Sequence, residues 1–448
     1  MTSERNASSG HMSTVLAVAA LSAAAAAAWF NSFGGEFAAV PRPSWWLPFA
    51  GTNLGLERGL NVSVQVATAL GIFGVLRHTL RLPHLRERFG AHATMLALAT
   101  AAIWMLHPLQ TAAVTDLGRR PELLGGWCVV LTLWAFVRGW RAASVVACGA
   151  GMAVHESTIV APVLVLLYDR TFLTGSFGET WRARRGFYAA LMATGVLVAV
   201  NVVTGNIRSE PVPWGEPLSP LRYLQVQCQA VVHYLRLALW PQPLVFDYGL
   251  VQPKELVWVL PPAFFLLALL VATGVAVWQA RSRGFLGAWL FLLLLPTSSV
   301  WPVAAEPIAE SRMHLPLAAI VTLVVLGLHR VVGRRSYVVC AVLALAAGAA
   351  TVTRNMDYRD ALVLWTDTAE KRPDNARAHV RLSVLQLAAG RVDEATQSGA
   401  EAVGLAPYYA DAHYALGEAL LRAGRPGPAR RHLEQAAKLA PERFRAAQ

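Results

Sequence analysis

Long apolar runs, separated by short segments that contain Arg, constrain this chain more than any other feature. An α-helix needs about 20 mostly apolar residues to cross the roughly 30 Å hydrocarbon core of a bilayer, and most of the runs approach that length. The sequence therefore predicts an all-α fold whose larger part is a polytopic bundle of membrane helices. The runs lie at 12–30, 60–77, 93–109, 122–137, 143–168, 187–204, 256–279, 285–303, 315–329 and 337–352.

The run at 143–168 has two interpretations. It is one long tilted span, or two short spans that turn at the polar pair His155 and Glu156. Positive residues favour cytoplasmic loops, and the Arg clusters at 77–88 and 170–185 are both cytoplasmic only if an even number of crossings separates them. This argument favours two short spans and about eleven in total, with the N-terminus in the cytoplasm and the C-terminus outside.

Two other segments leave alternatives open. The run at 12–30 resembles a cleavable signal peptide, because its apolar residues lead to small ones, although we interpret it as the first span. The stretch 223–240 spaces Leu224, Val231, Leu235 and Ala238 for one helical face. That spacing predicts an amphipathic helix on the outer surface, and a crossing at this point would invert the topology that follows.

The charges divide the chain into two domains. Residues 1–352 contain 25 Lys and Arg and 15 Asp and Glu, whereas residues 353–448 contain 14 and 12. We therefore expect a membrane domain at 1–352 and a water-soluble domain at 353–448. This pattern excludes a wholly soluble enzyme and a disordered chain, and four Cys are too few for a disulfide-stabilised secreted domain. Because most of the net charge of +12 lies between apolar runs, it indicates a lipid bilayer and no nucleic acid as partner.

The C-terminal domain repeats itself every 34 residues. Small residues at this offset let two antiparallel helices approach closely, and Gly is placed to end the first helix of each unit. The pattern resembles the tetratricopeptide repeat, an α-solenoid, with a half unit at 358–371 before two whole ones. About two and a half repeats are marginal alone, so we expect support from the membrane part or from a protein partner. The repeated positions include Pro373, Pro407 and Pro441, Gly390 and Gly424, Ala395 and Ala429, and Ala402 and Ala436.

Acidic and basic residues cluster on the predicted outer face of the membrane domain. Charges at membrane depth are costly and are functional candidates by default, although the alternative is a set of interfacial ion pairs. Arg suits a bidentate grip on phosphate, and a nearby carboxylate suits general-base catalysis on a hydroxyl. The acids are Glu36, Glu57, Asp116, Glu122, Glu156, Asp247, Glu306 and Glu310.

Five motifs in a fixed order carry a resemblance to a known family. They are 106–115 (LHPLQTAAVT), 119–122 (RRPE), 155–156 (HE), 233–241 (HYLRLALWP) with 247–248 (DY), and 309–316 (AESRMHLP). With the repeats, they resemble bacterial multispanning tetratricopeptide-repeat proteins similar to the transmembrane and tetratricopeptide-repeat O-mannosyltransferases, which share the C-type glycosyltransferase architecture. The resemblance covers nearly the whole chain from His107 onward.

The resemblance implies that a sugar is transferred from a polyprenyl-phosphate donor to a protein hydroxyl or glycan. The reaction would take place on the outer face of a bacterial cytoplasmic membrane, with the repeats in the periplasm or outside the cell. An acid in the first outer loop would be the base, so Glu36 is the first candidate and Glu57 the second. Position and charge make Arg312, Arg120 and Arg119 candidates to hold the donor phosphate. The supporting candidates are His107, Asp116, Glu122, His155, Glu156, His233, Arg236, Asp247, Glu310 and His314.

Three positions depart from the family pattern. Val40 and Pro41 stand where the acid pair of the first outer loop is expected. Ala112 replaces an acid, and His155 replaces a Lys. These departures favour an alternative function, a catalytically degenerate scaffold in the membrane whose repeats bind proteins. A transporter is less favoured because no broken apolar pair recurs in two halves, and no His or Cys spacing predicts a metal or another cofactor.

Overall fold

The computed structural model describes residues 2–33, 54–204, 218–299, 302–303 and 306–444. Every element within these residues is helical, so the all-α prediction is confirmed for this part of the chain. The helices before the repeats are α1 (Thr2–Trp29), α2 (Leu54–Thr79), α3 (Pro83–Phe89), α4 (Ala93–Leu106), α5 (Thr111–Val114), α6 (Arg120–Val137), α7 (Arg141–Val154), α8 (Ala161–Asp169), α9 (Phe177–Ala193), α10 (Val196–Val203), α11 (Pro220–Leu239), α12 (Leu256–Trp278), α13 (Ser282–Leu294), α14 (Leu317–Val332) and α15 (Ser336–Asp357).

Several of these helices are long and apolar, as in a membrane protein. Within the described residues, eight stretches are long and apolar enough to cross a bilayer, and α7 and α13 are two shorter apolar helices. One of the eight, Leu317–Asp357, contains both α14 and α15. Each of the eleven predicted segments contains helix, whereas the number and direction of crossings remain predictions. The eight stretches are Thr14–Ser32, Leu54–Thr79, Pro83–Leu106, Leu117–Val137, Glu156–Thr174, Phe177–Asn201, Leu256–Trp278 and Leu317–Asp357.

Two helices of the bundle, α7 and α14, end at a polar residue and at a glycine, respectively. α7 ends at His155, whose φ of −151° and ψ of 137° are extended, and a short 3₁₀ helix, Glu156–Val160, then leads into α8. The 143–168 run therefore contains two helical segments, and whether each of them crosses the membrane remains a prediction. α14 ends at Gly333, whose φ of 57° suits a residue without a Cβ.

Close helix approach builds the core of the bundle. α4 contacts α1, α2, α14 and α15, and its Leu96, Ala97 and Trp104 are fully buried. α2 meets α6 at Gly71, where a Cβ would lie 2.5 Å from Val130 Cγ1. Small residues at helix contacts are typical of membrane bundles. By contrast, α12 is mostly exposed, with Trp278 at 80%, as expected for a face that meets lipid.

The amphipathic stretch that we expected at 223–240 forms most of α11. Its buried face contains Tyr223, Val231 and Tyr234, while Leu224, which we placed on the apolar face, is 36% exposed. Val231 and Ala238 of the predicted face are buried, so the buried face is only partly rotated relative to the prediction. The buried Tyr223 and Tyr234 hydroxyls have hydrogen-bond partners inside the protein. Tyr223 donates to Thr297 O over 2.6 Å.

The C-terminal helices pair as the 34-residue period predicts. Both units show the predicted Gly in the left-handed region after their first helix, with φ of 75° at Gly390 and 70° at Gly424. The repeated Ala395, Ala402 and Ala429 are fully buried at the helix crossings. α15 runs past position 352 without a break as far as Asp357. The repeat helices are α16 (Ala361–Lys371), α17 (Ala376–Ala388), α18 (Val392–Leu405), α19 (Ala410–Arg422), α20 (Pro426–Leu439) and α21 (Pro441–Phe444).

Candidate functional site

Most predicted site residues meet at one end of the bundle. They lie on short 3₁₀ segments and loops that follow or precede the long helices, including Pro108–Gln110, Leu117–Arg119, Glu156–Val160 and Glu310–Met313. The segment Glu310–Met313 contacts Pro108–Gln110, α5 and α11. Residues that are more than 200 positions apart in the sequence are therefore neighbours. Glu36, the first candidate base, lies outside the described residues.

Glu57 and Arg120 form a buried ion pair, with 1% and 4% of each residue exposed. Arg120 Nη2 also donates to Glu57 O over 2.7 Å, and Arg120 Nε donates to Asn61 Oδ1 over 2.7 Å. Asn61 in turn donates to Val114 O over 2.8 Å. This network joins α2 to α6 and supports a structural role for both charges, whereas their roles as base and phosphate ligand remain predictions.

Arg119 lies among three carboxylates. Its guanidinium nitrogens are 3.1 Å from Glu122 Oε1, 2.5 Å from Glu306 Oε2 and 3.7 Å from Asp116 Oδ2. Asp116 Oδ1 also accepts from Gly118 N over 2.9 Å, which caps the 3₁₀ turn. The three carboxylates carry more negative formal charge than Arg119 carries positive charge. They therefore already occupy the place that a donor phosphate would take beside Arg119.

Arg312 differs because its hydrogen bonds go to neutral oxygens, namely three carbonyls and the Tyr223 hydroxyl. Nη1 donates to Thr297 O over 3.0 Å and to Pro307 O over 2.9 Å, and Nη2 donates to Glu306 O. These bonds fix the guanidinium without neutralising its charge. Of the three Arg candidates, Arg312 therefore has the geometry best suited to attract an anion.

A small cavity of about 50 Å³ brings four predicted residues together, Glu122, His155, Arg312 and His314. Burial lowers the pKa of His314 to about 4, so the ring is neutral at pH 7. His314 Nδ1 lies 2.6 Å from Gln110 Oε1, and its buried Nε2 has no hydrogen-bond partner within the described residues. Since a water molecule takes about 30 Å³ of liquid, the cavity has room for a water or a hydroxyl group but not for a sugar.

A second buried network centres on Glu310. Its Oε1 accepts from Val245 N over 2.7 Å and from the Tyr248 hydroxyl over 2.8 Å. Burial raises the pKa of Glu310 to about 7, against the opposing effects of the Arg354 charge and these two hydrogen bonds. The Tyr248 oxygen is also 2.9 Å from His233 Nε2, and burial lowers the pKa of His233 to about 4.

The loop that follows α11 docks the repeats onto the bundle. Asp247 forms an ion pair with Arg377 at 2.7 Å, and its carbonyl accepts from Asn375 Nδ2 over 2.8 Å. Lys371 Nζ donates to Leu244 O over 3.0 Å. Phe246 packs edge-on against Trp365, with ring centroids 5.2 Å apart. We call these residues the docking interface.

The remaining candidates have other surroundings. His107 is buried, and its Nδ1 accepts from Leu109 N over 3.2 Å, which caps the 3₁₀ turn. Glu156 is buried at the start of its own 3₁₀ turn, and Arg236 is exposed on α11. Within the residues that the structure describes, no group of three or more His, Cys, Asp and Glu is placed to hold a metal ion.

Sequence reasoning missed the partners that make these networks, chiefly Asn61, Gln110, Asn375 and Arg377. The local sequence carries a signal for one of them. Asn375 precedes α17, and its Oδ1 accepts from Ala378 N as an N-cap, but that signal does not predict the bond to Asp247.

The comparisons with known proteins identify the C-terminal segment. Residues 354–410 and 410–443 match models of the tetratricopeptide repeat. A search of curated proteins gives no match to the chain. These findings do not support the predicted relation to O-mannosyltransferases. The chain therefore carries tetratricopeptide repeats at its C-terminal end, and such repeats indicate protein–protein interaction.

Proposed function

We propose that this protein is a membrane-anchored platform that binds a protein partner through its repeats. The docking interface is the observation that carries the proposal, because it ties the repeats to the bundle through buried contacts. The side chains of Asp247 and Arg377 are only 9% and 13% exposed. Stacked repeats need about three units for stability, and the bundle supplies the support that the short array lacks.

The repeats present a mixed apolar and charged surface to a partner. α17 and α19 lie side by side, and Val384 and Glu418, which are 34 residues apart, occupy equivalent positions on them. Val384 is 49% exposed, Arg381 is exposed one turn before it on α17, and Arg422 is exposed on α19. We call Arg381, Val384, Tyr414, Glu418 and Arg422 the repeat face. An apolar centre with charged neighbours is typical of a protein-binding surface.

Site-directed photo-crosslinking in native membranes tests this proposal. A photoreactive residue replaces Val384 or Glu418 in the full chain, and Gln397, exposed on α18, serves as the matched control position. We expect the same discrete adduct from the first two positions, no adduct from the control, and loss of the adduct when Arg422→Glu is added. Equal labelling at all three positions, or none at any, would contradict the proposal.

A glycosyltransferase is the second candidate function, because the small cavity is lined by the Glu122 carboxylate, the Arg312 guanidinium and the neutral His314 imidazole. In that function Arg312 attracts the phosphate of a polyprenyl-phosphate sugar, and Glu36, Glu57 or Glu122 takes the proton from the acceptor hydroxyl. The cavity must widen to admit a sugar.

Sugar transfer in membranes that contain native polyprenyl-phosphate sugars tests the second candidate. The variants are Glu36→Gln, Glu122→Gln and Arg312→Ala, and Arg222→Ala is the control because Arg222 is exposed on α11 and is not a site candidate. Transfer that is lost with Arg312→Ala and retained with Arg222→Ala supports the transferase. Absence of transfer by the wild-type protein, beside an active relative that has the acid pair, eliminates it.

A further inference from the structure

A second and much larger cavity lies toward the opposite end of the bundle. It has a volume of about 440 Å³ and is lined by the C-terminal halves of α2 and α6, the N-terminal part of α13 and nearly the whole length of α14. The site residues occupy the other ends of these helices. The volume falls within the range of about 300–1,000 Å³ that is typical of small-ligand sites.

The cavity is elongated and apolar. Its lining extends along α14 from Ala318 to Arg330, about 18 Å at 1.5 Å per residue. The polar groups on its walls already bond to each other or to their own helix, as Thr79 does with the Tyr168 hydroxyl at 2.7 Å and Thr322 does with Ala318 O at 2.6 Å. Such walls suit a hydrocarbon chain better than a sugar.

Three Arg side chains form the rim of this cavity, Arg281, Arg283 and Arg330. Within the described residues none of the three forms an ion pair. Arg330 is also close enough to Arg88 and Arg283 to be repelled by both. By contrast, the guanidinium of Arg170, at the same end of the bundle, already donates hydrogen bonds to Val277 O and Trp278 O.

From this arrangement we propose that the cavity binds one anionic phospholipid. An acyl chain occupies the apolar interior, and the phosphate of the headgroup binds Arg281, Arg283 and Arg330. An acyl chain reaches about half of the roughly 30 Å hydrocarbon core, which the length of the cavity accommodates. Anionic lipid also relieves the repulsion between the Arg residues. The lipid belongs to the leaflet at this end, which we predict to be the cytoplasmic one.

Native mass spectrometry of the full chain in an uncharged detergent tests the proposal. The probes are phosphatidylglycerol, phosphatidylcholine and inorganic phosphate. We expect one bound phosphatidylglycerol per chain and at least tenfold weaker binding of phosphatidylcholine. We also expect Arg281→Gln with Arg283→Gln to weaken phosphatidylglycerol binding about tenfold. Arg182→Gln with Arg185→Gln removes the same charge from exposed positions on α9 and should leave binding unchanged.

A pair of glycine variants tests whether the chain enters the cavity. A Cβ at Gly327, on the cavity wall, meets open space, and so does a Cβ at Gly274 on α12. Gly327→Phe should therefore fill the cavity and abolish lipid binding, whereas Gly274→Phe should not. Equal binding of both lipids, retention by Gly327→Phe with unchanged thermal unfolding, or displacement of the lipid by inorganic phosphate would overturn the proposal.

Discussion

The Arg residues near the small cavity differ in what surrounds their charge. Arg120 faces one buried carboxylate, Arg119 faces three, and Arg312 donates its hydrogen bonds to carbonyl oxygens and to the Tyr223 hydroxyl. A buried charge that loses its partner costs far more than an exposed one. Replacing Arg by a neutral residue should therefore change the stability of the protein by very different amounts at these three positions.

Removal of one partner of the Glu57–Arg120 pair should destabilise the protein by about 3–5 kcal/mol, because the other charge stays buried without compensation. We expect this loss for Arg120→Met and a smaller loss when Glu57→Gln is added. Thermal unfolding in detergent measures both. Arg430→Met, which breaks an exposed ion pair with Glu434, should cost less than about 1 kcal/mol. Similar losses for all three variants would contradict the prediction.

Glu310 should make stability depend on pH. Burial raises its pKa in the folded state to about 7, above the ordinary value of 4.5, so its contribution to stability is fully present below pH 4.5 and is lost as the pH rises through 7. Glu310→Gln remains neutral, so the variant should gain stability relative to the wild-type protein between pH 5 and pH 8. Unfolding temperatures measured across this range test the sign, and a pH-independent difference would contradict it.

The sequence motifs predicted which polar residues lie close together, but not which of them form hydrogen bonds or ion pairs with each other. His155, Arg312 and His314 line one cavity, as their common location in the predicted outer loops indicated. The pairing of Asp247 with Arg377, 130 residues apart, depends on how two domains dock, and no local pattern records that. For the same reason, Asn61 could not be recognised as the partner of Arg120.

At the level of helices, apolar runs and the 34-residue period predicted most of the long helices and the repeat helices, but not short ones such as α3 and α5. Helix formation follows from local composition, and the repeat helices from the spacing of small residues. The rotation of α11 was not predictable, because it depends on acceptors such as Thr297 O that lie in a distant loop.

Gly71→Ala should destabilise the bundle by about 1–3 kcal/mol, the usual effect of overpacking a tight contact. A Cβ at this position would lie 2.5 Å from Val130 Cγ1. We expect partial recovery when Val130→Ala is added, because that change removes the colliding methyl group. Gly274→Ala is the control, since a Cβ there meets open space. Thermal unfolding of the four proteins provides the comparison, and equal effects of the two glycine substitutions would contradict this account.

For the whole molecule, the docking interface determines whether the repeats move with the bundle. Asp247→Ala should release α16 and α17, because it leaves the Arg377 charge without its partner. We expect faster amide hydrogen exchange in both helices, a similar change for Arg377→Ala, and little further change in the double variant. Arg391→Ala, which breaks an exposed pair with Glu394, is the control. Unchanged exchange in both interface variants would show that other contacts hold the domain.

The continuity of α15 has a mechanical consequence. This helix runs from the bundle to within a few residues of the first repeat helix, and the Asp247 loop holds the repeats at a second point. A body attached at two points transmits torque as well as tension. A partner that pulls on the repeats therefore loads α15 along its axis and tilts the bundle, instead of swinging on a loose tether.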